Sequence, residues 1–127
     1  MKNILLLFIV FATHFNAQSQ EWKLLDDNDE YKLFIRDHSQ TSAWFKWEYK
    51  KVKINEFIGK KEEIKKTLTL YKFDCNKKML GTLASIHYDE KGETIRKKDN
   101  GDYARMENAV PDTLGEWVLL KFCKSKG

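Results

Sequence analysis

Two cysteines carry the most reactive side chains in this sequence. Cys75 sits in "YKFDCNKKML" (Tyr71–Leu80), inside what reads as a β-strand, and Cys123 sits near the end in "LLKFCKSKG". A cysteine attacks as the thiolate, which needs a lowered pKa and a nearby base. His87 falls in a neighbouring predicted strand, and Asp74 and Asp89 lie close in sequence, so the residue types of a Cys–His–Asp trio are present. A metal site would need paired ligand spacing, which these cysteines with His38 and His87 lack. The third option is a bond between the two sulfurs. Compartment decides among the three, because thiols persist in reducing surroundings and pair in oxidising ones.

The N-terminus speaks to compartment. In "MKNILLLFIVFATHFNAQSQ", Lys2 supplies a positive start and Ile4 to Ala12 form an apolar run of nine residues. That is the length of a signal-peptide core and too short to span a bilayer. A helix meant for burial would interrupt the run with polar residues at helical spacing. Residues 1–17 are therefore expected to be a secretion signal. Cleavage after Ala17 is the first choice, and cleavage after Ser19 also fits. No cysteine stands at the cleavage point, so no lipid anchor is expected. No later apolar stretch is long enough for a membrane span. The destination is the periplasm, the medium or the cell surface.

Residues 18–127 then suffice for one domain with a modest core. Loss of Lys2 lowers the formal charge from +4 to +3, a mildly basic balance. An exported chain is not expected to meet nucleic acid. In an oxidising compartment two cysteines in a small domain pair by default. A bond closing about 48 residues stabilises by roughly 4 kcal/mol in the chain-entropy account.

Most of the chain reads as β. "EWKLL" opens a strand, and Asp26 to Glu30 form a polar turn. "YKLFIRD" (Tyr31–Asp37) follows. Thr41 to Ile54 alternate with period two: Phe45, Trp47 and Tyr49 on one face, Lys46, Glu48 and Lys50 on the other. Val52 breaks the phase, which predicts a bulge or strand end near Lys51. The charged stretch Lys60 to Lys66 reads as a solvated connection or strand start. Ile64 to Cys75 and Met79 to Asp89 read as two more strands, the first placing Thr69, Tyr71, Phe73 and Cys75 on one face. Gly92 can close a three-residue hairpin loop before "ETIRK". Turn chemistry accounts for the acidic loops around Asp89 and Asp102 better than calcium binding, since alternating ligands are missing. Short connections favour an antiparallel meander.

The tail "VPDTLGEWVLLKFC" changes period. Pro111 suits a helix entrance, and Thr113 with Glu116 has capping-box spacing. Leu114, Trp117, Val118 and Lys121 share a stripe, with Phe122 beside it. The reading is a three-turn helix ending at Cys123.

Taken in order, Trp22, the strand led by Tyr31, Trp44 with Lys46, "FDC" (Phe73–Cys75), "HYDEKGE" (His87–Glu93) and the tail resemble the surface-adhesin protein E family over roughly Glu21 to Cys123. The most specific parts are "DC", "YD-x-x-G" and the Pro-Asp-Ser/Thr…Glu…Cys tail. The resemblance implies an α+β fold: a curved antiparallel sheet of about six strands, with a C-terminal helix tethered to its concave face by a Cys75–Cys123 disulfide. Its best-known member binds host matrix and serum proteins, which implies a protein or extracellular-matrix partner here. The missing lipidated cysteine puts attachment to an outer membrane in doubt.

Binding residues are sought among the aromatics and lysines. Trp44, Phe45, Trp47 and Tyr49 cannot all enter one core, because neighbours in a strand face opposite ways. Trp44 either faces out with Lys46, as on binding surfaces and homodimer contacts, or lies under a loop or lysine stems. Lys50, Lys51, Lys53, Lys60, Lys61, Lys65 and Lys66 form a basic tract that Glu56, Glu62 and Glu63 interrupt. The expectation is an exported, non-enzymatic binding module using Trp44, Lys46, Lys50, Lys51 and Lys53, with no cofactor and no metal. The alternatives are a small periplasmic envelope-associated protein, or a secreted enzyme or enzyme inhibitor.

Overall fold

The computed structural model describes residues 21–126, and the expected signal segment lies outside the described residues. Among the described residues seven strands precede one helix: β1 (Lys23–Asp27), β2 (Tyr31–Asp37), β3 (Ser42–Phe57), β4 (Lys60–Asp74), β5 (Met79–Tyr88), β6 (Thr94–Asp99), β7 (Glu107–Asn108) and α1 (Leu114–Lys126). The first six pair in sequence order, all antiparallel. This is the curved meander that short connections favour. The short β7 has no counterpart in the sequence reading. It joins β5 at Met79 and Leu80, beyond the stretch that β6 occupies.

Several boundaries move. Asp26 and Asp27 belong to β1, so the polar turn shrinks to Asn28–Glu30. There the Asn28 side-chain oxygen accepts the Glu30 and Tyr31 amides at 2.8 and 3.0 Å. Cys75 is not within a strand: β4 ends at Asp74, and Cys75 opens the turn into β5. Of the two readings for Lys60 to Lys66, the strand start holds: it is the first half of β4. The basic tract therefore lies along two paired strands rather than between them. Ile58 and Gly59 close that pair, both at positive φ (54° and 70°), the signature of a tight two-residue hairpin. Gly92 takes φ 83°, and the Asp89 amide donates to the Glu93 carbonyl across its loop.

The phase break at Val52 marks a real irregularity. Pairing jumps from Glu48↔Lys66 to Lys53↔Ile64. Tyr49 to Val52 oppose Lys65 alone, so the long arm beyond them bends and twists relative to the rest.

One sheet face carries the main core. Leu33, Ile35, Ala43, Phe45, Trp47 and Phe73 meet Val118, Leu119 and Phe122 of α1. Full burial of each large side chain contributes about 1.5–3 kcal/mol. Phe122 stacks on Phe73, with ring centroids 4.4 Å apart and planes 18° off parallel. Beside them Cys75 and Cys123 are bonded, their Cα atoms 5.7 Å apart. The helix runs three residues past Cys123. Its buried stripe is Val118, Leu119 and Phe122, while Leu114 and Lys121, expected on that stripe, are exposed. The stripe is rotated because Phe122 must lie on Phe73 and Cys123 must reach the β4–β5 turn. At the helix entrance the Glu116 amide donates to Thr113 Oγ1 at 3.4 Å. The Glu116 carboxylate accepts from the Asp112 amide, one residue earlier than a full capping box requires.

A smaller cluster lies on the opposite face. Leu70, Leu83 and Ala84 pack there with Trp44 and Ala104. Leu83 is the extra residue of a bulge, since pairing steps from Leu70↔Ala84 to Tyr71↔Thr82. The segment after β6 crosses β5 at this point. Asn100 ties it down, with its amide on the Leu83 carbonyl at 2.8 Å and its side chain on the Thr82 carbonyl at 3.0 Å. The crossing is so close that a Cβ on Gly81 would meet the Arg105 carbonyl oxygen at 2.6 Å.

Two stability changes follow. Cys123→Ala should lower unfolding free energy by roughly 4 kcal/mol through the freed 48-residue loop. Gly81→Ala should cost about 1–3 kcal/mol by overpacking. Urea denaturation reads both, against the parent with its disulfide intact and with Cys75 of the Cys123→Ala variant kept reduced. An unchanged midpoint for Gly81→Ala would mean that the crossing segment yields freely.

Candidate binding surfaces

Strand alternation divides the five sequence-predicted binding residues between faces. Trp44 and Lys46 lie away from the helix. Trp44 is half-buried against the smaller cluster, and it also lines an open pocket with Trp22, Arg36 and His38. Lys46 is occupied. Its Nζ lies 4.6 Å from the ring centres of both Trp22 and Phe34 and 3.3 Å from a Glu48 carboxylate oxygen. Lys50 pairs with Asp27 at 2.8 Å. That hydrogen bond holds the Asp27 carboxyl below its ordinary range. The pair is exposed, and such pairs add little stability.

Lys51 and Lys53 take a different position. With Asp29, Glu30 and Leu114 they wall an open cleft of about 460 Å³ floored by Tyr31, Trp47 and Tyr49. The β2–β3 register sets this floor, placing Tyr31 opposite Tyr49 and Leu33 opposite Trp47. The two tyrosine rings meet edge to face, centroids 6.3 Å apart. Lys53 Nζ lies 5.4 Å from the Tyr49 ring centre, within cation–π range. Leu114 closes the cleft because the helix's first turn overhangs the core. Tyr31, Trp47, Tyr49 and Leu114 were missing from the sequence-predicted binding set. Trp47 and Tyr49 alternate in phase within β3, but Tyr31's place beside Tyr49 depends on strand register.

A second cleft of about 430 Å³ includes Tyr71, Lys98, Asn108 and Thr113. Burial, and then the neighbouring Tyr49, pushes the Tyr71 phenol above its usual range.

The trio suggested by the cysteine does not assemble. Cys75 is bonded to Cys123, and both described cysteines are used. The Asp74 carboxylate accepts the Lys77 amide, and that of Asp89 accepts the Lys91 and Glu93 amides. Both acids serve turns. His87 Nδ1 is hydrogen-bonded to Thr67 Oγ1 at 2.9 Å, across the β4–β5 pair. His38 Nδ1 bonds the Ser42 hydroxyl at 2.8 Å within the β2–β3 turn.

Near His87 lies an ion pair that the sequence hid. Glu62 is 8 % exposed. One of its oxygens accepts from Arg96 Nε at 3.2 Å. The other faces an Arg96 terminal nitrogen at 3.2 Å, off the line of a hydrogen bond. The guanidinium also lies 4.1 Å from the Phe57 ring centre. In "KKEEIKK" Glu62 looks solvated, and only the bent arm turns it inward.

A bent meander sheet, a helix pinned across one face and open clefts around the helix entrance define a small disulfide-tethered α+β domain. The family described as Surface-adhesin protein E matches residues 22–124, and the chain belongs to that family. No curated protein and no solved structure matches it.

Burial, followed by the Arg96 charge, lowers the His87 pKa below its ordinary 6.5, against the opposing pull of Glu62. The unfolded chain thus binds the proton first as pH falls. Stability from His87 should be complete above about pH 6.5 and should decline as pH drops toward the folded-state value. His87→Asn should flatten that part of the stability–pH curve. A histidine NMR titration should place the His87 midpoint below 6.5; a midpoint above it would contradict the assigned environment.

Proposed function

We propose that this chain is an exported, non-enzymatic adhesin-type module. It binds a cell-surface or extracellular-matrix protein through the cleft between the first turn of α1 and the bend in β3. The observation that carries this reading is the aromatic floor and lysine wall of that cleft, on the scaffold of an adhesin family.

The chemistry suits a protein partner. Tyrosine rings offer large contact area at low conformational cost, and aromatics concentrate at binding hot spots. Lys51 and Lys53 attract acidic groups on a partner, while Asp29 and Glu30 opposite them favour one orientation. Docking of α1 on the core sets the Leu114 side of the cleft before a partner binds, which reduces the ordering cost of association. Within the broader set expected from sequence, Lys51 and Lys53 contact the partner. Trp44, Lys46 and Lys50 support the sheet around them.

The test is fractionation of the source cell, followed by capture of extracellular-matrix proteins on the exported protein. Tyr49→Ala and Lys53→Glu should each weaken capture by roughly tenfold or more. Lys97→Glu, on an exposed site outside the cleft, should leave it unchanged. Retention in the periplasm without capture would sink the adhesin reading.

A further inference from the structure

The β3–β4 hairpin ends in an arrangement that the fold does not need. Ile58 is 85 % exposed and Ile54 64 % exposed, with Phe57 also open to solvent. Ile58 holds φ 54°. A β-branched residue in the left-handed region is strained, and Gly, Asn or Asp would fill that turn position without the penalty. A strained position kept by a side chain that touches little of its own protein suggests a use outside it.

The charges behind the tip indicate what that use is. The sequence runs Phe57-Ile58-Gly59-Lys60-Lys61, with Lys51 and Lys53 further back on the paired strand. From Lys51 to Lys66 there are six lysines against three glutamates, a net +3. Glu62 is turned inward on Arg96, which leaves Glu56 and Glu63 as the outward acids. The tip is a narrow two-stranded end, poorly shaped to fill the buried centre of a protein interface. An apolar point with cations directly behind it matches the layering of a bilayer surface, where acyl chains lie beneath phosphates.

We propose that this hairpin tip docks on an anionic phospholipid surface. Ile58 enters the headgroup boundary, Phe57 lies at its edge under Arg96, and Lys60 and Lys61, paired with Phe57 and Glu56 just behind the turn, meet the phosphates. The contact is peripheral: no helix among the described residues is long and apolar enough to cross a membrane. Its contacts at Ile58, Lys60 and Lys61 are not those of the cleft proposed for a protein partner, which uses Lys51 and Lys53. The tip can hold the domain at a membrane surface while the cleft remains open.

Co-sedimentation of the exported protein with phosphatidylcholine vesicles, with and without phosphatidylglycerol, tests the proposal. Binding is expected to the phosphatidylglycerol vesicles only, and it should weaken with salt. Ile58→Gly should reduce partitioning by about tenfold. Its melting temperature should hold or rise, because glycine accepts the turn geometry. Lys60→Glu with Lys61→Glu should reduce binding at least as much. Tyr49→Ala should bind vesicles like the parent, so failure at the cleft and failure at the tip are distinguishable. Equal binding by Ile58→Gly, a fall in its melting temperature, or no association with either vesicle would overturn the proposal. So would capture of the tip by a protein without vesicle binding.

Discussion

The contact between Phe122 and Phe73, locked beside the Cys75–Cys123 bond, is what the rest of the structure depends on. A single sheet with one apolar face must cover it. Here the cover is one helix of thirteen residues, a length that is marginal in isolation. Docking therefore stabilises the helix as much as the helix stabilises the sheet. The disulfide restricts the unfolded chain by tying the β4–β5 turn to the helix's last turns. The stacked rings then set the helix's rotation, which buries Leu119 and leaves Leu114 free at the far end.

Two irregularities distribute the surfaces around that core. The four-against-one pairing at Tyr49–Val52 bends β3. It carries Lys51 and Lys53 to the cleft and carries the arm beyond them to its exposed tip. The bulge at Leu83 brings an additional apolar side chain to the opposite face. Trp44 and Ala104 both pack against the cluster that it joins. A regular sheet of the same composition would not form the bent lysine arm.

Electrostatics shapes the surface more than it holds the fold together. Lys50–Asp27 and Arg105–Glu107 are exposed pairs, and Lys46 and Lys53 lie over aromatic rings. The buried exception, Glu62 with Arg96, includes a carboxylate oxygen without a hydrogen-bond partner. Removing Arg96 would strand a charge, whereas an apolar pair of similar shape could be tolerated there. Near this pair, burial and the arginine oppose protonation of His87 more than Glu62 favours it.

Local pattern made much of the fold legible. Period-two alternation placed Phe45, Trp47 and Tyr49 on the helix-covered face. The lost phase at Val52 marked the bend, Gly92 marked a hairpin, and Thr113 with Glu116 marked the helix entrance. The cysteine pairing followed from two thiols in an expected oxidising compartment and from the family resemblance. What could not be read were properties set by strand register and by segments distant in sequence. Trp44 packs against a cluster drawn from β4 and β5, Glu62's burial comes from Arg96 on β6, and the cleft from Tyr31, Tyr49 and Leu114 on three elements. By itself the sequence determined which residues alternate, turn and cap, because those depend on backbone geometry over a few residues. Only the tertiary structure decided which of the alternating residues are exposed, because burial depends on what the rest of the chain brings against them.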